Sequence, residues 1–283
     1  MCLCLLNESL RTGFIHSDMT IFPSEFAANL AEIAHEAGRL ILKHYAAGTP
    51  ARVKEDSSPV TAADEEAEAL ILKRLAKLSP GVPILAEEEV AAGRLPRHLG
   101  TRFFLVDPLD GTKEFLKRNG EFTVNIALVD AGRPICGVVL APAKARAFIG
   151  DGANGAFELA APEDLPLKVN QAQPIRARQA PKDGLIVIAS RTHRDTKTEE
   201  YLRAYQVADL VAAGSSLKFC LVACGEADLY PRHGRTMEWD TAAGQAVLEA
   251  AGGSVKTLAG APLGYGKIAG GFANPHFVAR GAE

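Results

Sequence analysis

The chain has 283 residues, of which 47% are hydrophobic and 23% charged, and 31 Lys and Arg against 34 Asp and Glu leave a net charge of −3. This composition is typical of a globular protein whose core needs no disulfide or metal to hold it together. The near balance of charge argues against nucleic-acid binding through a basic surface. No apolar run approaches the ~18 residues of a membrane span.

The first half of the chain predicts two helices followed by strands, some in hairpins. Residues 1–19 carry no signal-peptide pattern, and we expect a disordered leader there. Apolar residues at helical spacing predict a helix from Glu25 to about Tyr45, and Thr61 followed by Asp64 predicts the start of a second. Apolar runs predict strands at 82–86, 102–106, 122–130, 134–140 and 145–149.

The second half alternates strands with helices. A polar, Pro-rich stretch around 160–179 predicts a boundary between an N-terminal sub-domain, residues 20–165, and a C-terminal one, residues 166–283. Strands are predicted at 184–189, 207–212 and 227–230, and helices at 196–205, 215–225 and 240–251. The whole pattern predicts an α/β (α+β) fold of packed layers and not an all-parallel sheet.

The cysteines bear on the compartment. None of the five has a partner at CxxC spacing, so we expect them to be reduced and the protein to be cytoplasmic. They are Cys2, Cys4, Cys136, Cys220 and Cys224.

Two carboxylates, Asp107 and Asp110, directly follow an apolar strand. Pro108 and Gly111 favour a tight turn around them, although an ordinary surface turn would use the same residues. Two carboxylates on one turn can face a single point, and a hard divalent cation relieves their repulsion. If a helix begins after the turn, the backbone N–H groups of Gly111 and Thr112 would face a phosphate.

Two further acidic positions strengthen this interpretation. Glu87 opens a run of three glutamates after a predicted strand, and Asp240 precedes an Ala-rich helix. Each alone could be a solvated loop residue or a helix cap. With Asp107 and Asp110 they form an oxygen-ligand set that suits Mg²⁺, whereas no His/Cys cluster offers a zinc site.

Three separated motifs together resemble the inositol monophosphatase-like superfamily of Mg²⁺-dependent, lithium-sensitive phosphatases. They are Glu87-Glu88 after a strand, the DPLDGT run at 107–112 and the WDTAAG run at 239–244. Four other runs are similar to the 3'(2'),5'-bisphosphate nucleotidase branch of that superfamily: 113–115, 117–128, 214–220 and 229–232. The resemblance covers about residues 22–275, and it implies a layered α/β/α/β/α sandwich of the inositol monophosphatase and sugar phosphatase type.

The resemblance also implies roles for the acidic residues. Two or three Mg²⁺ ions would be held mainly by the N-terminal sub-domain, and Li⁺ would inhibit. The implied metal ligands are Glu87, Asp107, Asp110 and Asp240, with the Leu109 carbonyl. Thr112, hydrogen-bonded to Asp64, would orient the attacking water, so Asp64, Glu87 and Thr112 are the catalytic candidates. Asp64 could instead serve only its helix's first turn, and Thr112 could be only an N-cap.

The implied substrate is 3'-phosphoadenosine 5'-phosphate, hydrolysed to AMP, and its sulfated form is a further candidate. The C-terminal sub-domain would complete the pocket, where Arg and Lys suit the second phosphate. Arg191 and His193 could equally be surface residues, and Lys218 could merely pack its stem along a helix. The full expected contact set is Glu87, Leu109, Asp110, Gly111, Thr112, Ser190, Arg191, His193, Ser216, Lys218, Arg232 and Asp240.

Two other functions compete with this one. One is an inositol-1-phosphate or sugar phosphate phosphatase, against which Lys113, Glu114 and Lys218 argue, because a small polyol monophosphate gives extra cations less to hold. The other is a non-catalytic binding protein, which the intact acidic set disfavours. We expect a small-molecule substrate, no nucleic-acid partner and no stable membrane insertion. Monomer or homodimer, and peripheral membrane association, stay open.

Overall fold

The structure, a computed structural model, describes residues 22–54, 59–190 and 196–282. The predicted leader, residues 1–19, lies outside the described residues. The first two helices, α1 (Glu25–Ala47) and α2 (Ala62–Leu78), are confirmed. Helix α2 begins with a full capping box between Thr61 and Asp64. A short hairpin of β1 (Ala51–Val53) and β2 (Pro59–Thr61) precedes it.

The first sheet has seven strands, and β3 to β9 follow one another across it in chain order. Strands β3 and β4 are parallel, and the other neighbouring pairs are antiparallel. The predicted hairpin is confirmed as β5–β6, and the strand predicted after it as β7. The strands are β3 (Ile84–Ala86), β4 (Arg102–Asp110), β5 (Thr123–Asp130), β6 (Arg133–Ala141), β7 (Arg146–Asp151), β8 (Gly155–Ala160) and β9 (Gln173–Ile175).

The second sheet has five strands in the order β11-β10-β12-β14-β13. Strand β10 is parallel to β11 and β12, whereas β14 is antiparallel to β12 and β13. The sequence pattern did not predict β13 and β14. The strands are β10 (Leu185–Ser190), β11 (Val207–Ala213), β12 (Leu229–Arg232), β13 (Ser254–Thr257) and β14 (Phe277–Arg280).

The described ranges contain five further α-helices: α3 (Glu87–Ala91), α4 (Thr112–Leu116), α5 (Thr196–Leu202), α6 (Leu217–Ala223) and α7 (Ala242–Ala250). The helix predicted at 215–225 is confirmed as α6, but it begins only at Leu217. The N-cap position is Ser216, and Ser215 lies in the left-handed backbone region with φ +57°. None of the helices in the described ranges is long and apolar enough to cross a bilayer.

The elements stack in five layers, which confirms the predicted α/β/α/β/α sandwich. Helices α1 and α2 cover one face of the seven-stranded sheet through a core that includes Leu30, Ile71 and Phe104. Helices α6 and α7 lie between the two sheets, in a second core. Helix α5 packs on the outer face of the five-stranded sheet, where Leu202 meets Leu229.

Helix α7 approaches the seven-stranded sheet closely because glycines face it. A Cβ at Gly150 of β7 would lie 2.4 Å from the backbone of Ala246, and one at Gly137 of β6 would lie 2.8 Å from the Ala246 methyl. The close approach fixes the height of α7 above the sheet. It thereby fixes Asp240, which stands two residues before the helix begins.

The chain passes from one sheet to the other between β9 and β10. Strand β9 follows residue 165, where the sequence suggested the sub-domain boundary, yet it pairs with β8 in the first sheet. We therefore propose that the passage between the sub-domains lies at residues 176–184.

Candidate active site

A cavity of about 630 Å³ opens where the two sheets meet through α6 and α7. The end of β4 and the starts of α3 and α4 form one side of it, and the β11–α6 connection, the end of β12 and the segment before α7 form the other. The fold brings these predicted site residues to its wall: Glu87, Asp107, Leu109, Asp110, Gly111, Thr112, Lys218, Arg232 and Asp240.

Four carboxylates at one end of the cavity share a pattern, in which a hydrogen bond fixes one oxygen of each. Asp107 accepts from the Leu109 N–H at 3.0 Å, and Asp240 accepts from the Met237 N–H at 2.8 Å. Glu87 accepts from Lys54 Nζ at 2.8 Å. Asp110 Oδ2 accepts the Ser215 hydroxyl at 2.8 Å and the Ser216 N–H at 2.7 Å. The second oxygen of each has no hydrogen-bond partner among the described residues.

The negative charges of these carboxylates repel one another. Burial raises the pKa of Asp107 well above its ordinary value, and repulsion from Glu87, Asp110 and Asp240 adds to the effect. Burial likewise raises the pKa of Asp240, with Asp110 and Glu87 contributing. For Glu87, burial raises the pKa while Lys54 opposes the rise. A bound cation would remove this mutual cost.

The donor set fits a hard divalent cation. As the side chains stand, no three acidic, histidine or cysteine side chains of the described ranges converge closely enough to hold one ion. Each of the four carboxylates nevertheless lines the cavity and leaves one oxygen unpartnered. An all-oxygen set of this kind suits Mg²⁺, which keeps several waters, and not zinc.

Asp64 and Thr112 meet as the sequence led us to expect. The Thr112 hydroxyl donates to Asp64 Oδ1 at 3.2 Å, and Asp64 Oδ2 accepts from the N–H and hydroxyl of Thr61 at 2.8 and 2.7 Å. Burial raises the pKa of Asp64, and the bonds from Thr61 oppose that rise. Thr112 is the first residue of α4 and Gly111, at φ 93°, holds the N-cap position, so the interpretation of Thr112 as an N-cap is wrong.

Two charged residues that the sequence analysis missed support Glu87. Lys54 Nζ donates to Glu87 at 2.8 Å and to Glu88 at 2.6 Å. Glu68 of α2, only 3% exposed, accepts the N–H groups of Glu88 and Glu89 at 2.8 and 2.9 Å, and so caps α3. Burial raises the pKa of Glu68 to about 7. The sequence position of Glu68 indicated that it would be buried, because residues 64, 68, 71 and 75 form one buried stripe along α2.

Two cations, Lys218 and Arg232, line the same cavity, and we call this pair its cationic end. Lys218 is 4% exposed. Its ammonium donates to the Ser215 carbonyl and lies 5.3 Å from the centre of the Tyr230 ring. Burial lowers the pKa of Lys218 to about 8. Arg232 donates to the Arg235 carbonyl at 3.2 Å, and its buried Nε has no hydrogen-bond partner in the part of the chain that the structure describes. Arg235, which the sequence analysis did not select, is exposed and also lines the cavity.

The remaining predicted contact residues have different placements. Ser216 is buried, and its hydroxyl lies 2.5 Å from the Asp240 carbonyl, so Ser215 is the serine that lines the cavity. Ser190 is the last residue of β10. Arg191 and His193 lie outside the described residues.

Comparison with known proteins gives consistent matches. Residues 23–281 match the Inositol monophosphatase family. The chain is 46% identical over 238 residues to the 3'(2'),5'-bisphosphate nucleotidase CysQ of Escherichia coli strain K12, covering 83% of this chain and 92% of that protein. The crystal structure of CysQ from Bacteroides thetaiotaomicron is 36% identical with a TM-score of 0.75, covering 91% and 97% of the two chains. Inositol monophosphatase from Anabaena is 27% identical with a TM-score of 0.70, covering 91% and 90%.

Proposed function

The chain belongs to the inositol monophosphatase family, and we propose that it is a 3'(2'),5'-bisphosphate nucleotidase that hydrolyses 3'-phosphoadenosine 5'-phosphate to AMP and phosphate. The observation that carries the proposal is one cavity lined both by four carboxylates and by Lys218 and Arg232, which act electrostatically on Asp110 and Asp240. A nucleotide with two phosphates offers one group to each end. The relatives named as 3'(2'),5'-bisphosphate nucleotidases support the same substrate class.

The acidic end is the proposed place of the reaction. Enzymes of this family are metal-dependent. We infer that the ion is Mg²⁺, that two or three ions bind, that Li⁺ inhibits, and that the ligands are Glu87, Asp107, Asp110, Asp240 and the Leu109 carbonyl. Bound there, the ions would neutralise the phosphate and lower the pKa of a water molecule.

Thr112 and Asp64 are suited to orient that water. Because the Thr112 hydroxyl donates its hydrogen to Asp64, the lone pairs of its oxygen are left to accept a hydrogen bond from water. The capping box holds Asp64 in turn, so the acceptor is fixed before substrate arrives. In-line attack at phosphorus then needs no covalent intermediate.

The cationic end is the proposed place of the second phosphate. Among the described residues the Arg232 Nε has no hydrogen-bond partner, and the Lys218 ammonium donates to one carbonyl beside an aromatic ring, so both have donors to offer an anion. We propose that Ser190, Arg191 and His193 contribute from the end of β10 and the residues after it. The same end would accept the 5'-phosphosulfate of the sulfated nucleotide.

A phosphatase for inositol 1-phosphate is the second candidate, because it needs only the acidic end, and the Anabaena inositol monophosphatase shares the fold. We further propose a cytoplasmic location, to which the free thiols of Cys136, Cys220 and Cys224 are suited.

The test is phosphate release with Mg²⁺ from 3'-phosphoadenosine 5'-phosphate, 3'-AMP and inositol 1-phosphate at equal concentrations. We expect the bisphosphate to be hydrolysed with the highest kcat/KM, and 3'-AMP, which lacks the 5'-phosphate, to have a higher KM. Preference for inositol 1-phosphate would support the second candidate function, an inositol-1-phosphate phosphatase. Metal binding without release from any of the three would support a non-catalytic protein.

A further inference from the structure

Asp110 is held by the part of the chain that leads into the opposite sheet. It ends β4 of the first sheet, but the donors to its Oδ2 come from the β11–α6 connection, which begins where β11 leaves the second sheet. The Ser215 hydroxyl donates at 2.8 Å and the Ser216 N–H at 2.7 Å, and the Ser216 hydroxyl lies 3.0 Å away. Among the described residues Asp110 Oδ1 has no hydrogen-bond partner, and Asp110 lines the cavity.

Ser215 makes this contact from an unusual backbone conformation. Its φ of +57° lies in the left-handed region, which glycine adopts without the steric cost that a side chain brings. The preceding residue is Gly214, which could by itself provide the backbone freedom that a turn between β11 and α6 needs. A serine in the left-handed position is therefore explained by what its side chain does and not by the turn itself.

The Ser215 hydroxyl has two acceptors within reach, Asp110 Oδ2 and the Thr123 hydroxyl. Its oxygen lies 2.6 Å from the Ser216 N–H, which can only donate, and close to the Thr123 hydroxyl. Thr123 lies 3.0 Å from Asn125 Oδ1, and the Asn125 amide donates to the Ser216 hydroxyl at 2.9 Å. Because the Asp110 carboxylate cannot donate, the contact between Ser215 and Asp110 requires the hydrogen of the Ser215 hydroxyl, and Thr123 is then the donor in its own contact with Ser215.

We infer that Ser215 is a positioning residue: its hydroxyl fixes one oxygen of Asp110 so that the other is presented to a divalent cation at the acidic end. The inference rests on the proposed function, because it needs the acidic end to bind metal. It differs from the predicted role of Ser216 as a substrate contact, since Ser215 acts on a carboxylate and not on the nucleotide. Groups that orient metal ligands in this way typically change metal affinity by about 10- to 100-fold when removed.

The test compares two variants that both lose the hydroxyl. S215A keeps a side chain in the left-handed position, whereas S215G removes the hydroxyl and accepts φ +57° without steric cost. Mn²⁺ binding is measured by electron paramagnetic resonance on the full chain, and thermal unfolding is measured without metal. We expect both variants to bind Mn²⁺ about tenfold more weakly than the unsubstituted protein. S215G is expected to unfold no earlier than the unsubstituted protein.

A matched control and a kinetic readout separate positioning from structure. Ser254 has a buried hydroxyl with no hydrogen-bond partner among the described residues, so S254A makes the same substitution away from the acidic end and should leave Mn²⁺ binding unchanged. In both Ser215 variants, the Mg²⁺ concentration that gives half-maximal phosphate release should rise about as much as the Mn²⁺ dissociation constant. The KM for 3'-phosphoadenosine 5'-phosphate at saturating Mg²⁺ should change less than about twofold, because the nucleotide contacts are intact.

Each outcome is decisive. If the unsubstituted chain neither binds Mn²⁺ nor releases phosphate, the proposed function itself fails. If it does both and S215A binds Mn²⁺ equally well, only the role of Ser215 is overturned. If S215G restores binding that S215A loses, the backbone conformation and not the hydroxyl is responsible, which also overturns the inference.

Discussion

The two ends of the cavity are built in opposite ways. At the acidic end, each of the four carboxylates has one oxygen fixed by a protein donor and the other without a hydrogen-bond partner among the described residues. At the cationic end, Lys218 is held by one carbonyl and a ring face, and the Nε of Arg232 is unpartnered. One oxygen of each carboxylate is therefore fixed before any ligand arrives, whereas Lys218 and Arg232 have donors left for the ligand to occupy.

This difference predicts separate consequences for the two ends. Loss of a fixed carboxylate should impair the reaction with every substrate, because each substrate presents a phosphate there. Loss of a cation should impair only substrates that carry a second anionic group. Five substitutions or conditions test this separation, and they follow in order of decreasing expected effect.

The largest effect is expected from Asp107→Asn. Asp107 is 1% exposed and is central to the repulsive acidic cluster, so losing its charge removes a metal ligand without leaving a hole. We expect phosphate release from both 3'-phosphoadenosine 5'-phosphate and 3'-AMP to fall roughly a thousandfold or more. Circular dichroism should show the fold retained. Asp130→Asn, the same change at an ion pair with Arg102 on the surface, is the control, and substantial activity in the Asp107 variant would contradict the metal assignment.

The next effect is expected from Thr112→Val, which replaces the hydroxyl by a methyl of similar size. If Thr112 orients the water, kcat should fall about a hundredfold for both nucleotides, with KM and Mn²⁺ binding little changed. Steady-state kinetics at saturating Mg²⁺ measures this, with Thr257→Val on β13 as the control. A variant that loses Mn²⁺ binding instead would show that Thr112 serves the metal site.

Gly150→Ala tests whether a substitution outside the cavity can weaken metal binding at the acidic end. The added Cβ would lie 2.4 Å from the Ala246 backbone, so α7 must shift and take Asp240 with it. We expect the free energy of unfolding to fall by roughly 1–3 kcal/mol and the Mg²⁺ requirement to rise. Urea unfolding and Mn²⁺ binding measure the two effects. Gly270→Ala, where the nearest atom lies 3.9 Å away, should change neither, and an unaffected Gly150 variant would show that α7 has room to move.

At the cationic end, Lys218→Met removes the charge while keeping most of the side-chain length. The KM for 3'-phosphoadenosine 5'-phosphate should rise about 10- to 100-fold, because the variant loses a hydrogen bond between two charged groups. The kcat/KM for 3'-AMP should change little, because it has no 5'-phosphate. Lys73→Met on the exposed face of α2 is the matched control. Equal losses for the two nucleotides would place Lys218 at the acidic end instead.

The smallest effect is a pH dependence. Burial lowers the pKa of Lys218 to about 8, so the ammonium loses its proton, and with it its charge, as the pH rises through that value. The kcat/KM for the bisphosphate should therefore decline above about pH 8 more steeply than that for 3'-AMP. Kinetics between pH 6.5 and about 9.5 test this. Lys218→Met should abolish the difference between the substrates, and a difference that persists in the variant would point to another group.

The sequence predicted much of the fold and the acidic end, because both depend on short-range patterns. Helix α1 was readable from apolar spacing, and the β5–β6 hairpin from two apolar runs around Ala131-Gly132, both with positive φ. Asp107 and Asp110 were readable because one turn contains both. By contrast, β13 and β14 are four residues each and have no strong alternation.

Residues that act through distant contacts were harder to predict. Lys54 meets Glu87 across 33 positions of sequence, and Ser215 meets Asp110 across 105, so no local pattern reveals either pair. Glu68 could have been found, since a carboxylate in the buried stripe of α2 requires donors. The family resemblance pointed to Asp64 and Thr112, and their hydrogen bond gives that expectation a physical basis.

The closure of the acidic end by the second half of the chain has a consequence for synthesis on the ribosome. A nascent chain that has emerged as far as Ile175 contains the complete seven-stranded sheet. It does not yet contain the serines that hold Asp110, nor Asp240, which follows Asp110 by 130 residues. Domains fold largely in the order of their synthesis. The first sheet can therefore assemble early, while the capacity for hydrolysis is withheld until the last third of the chain has been made.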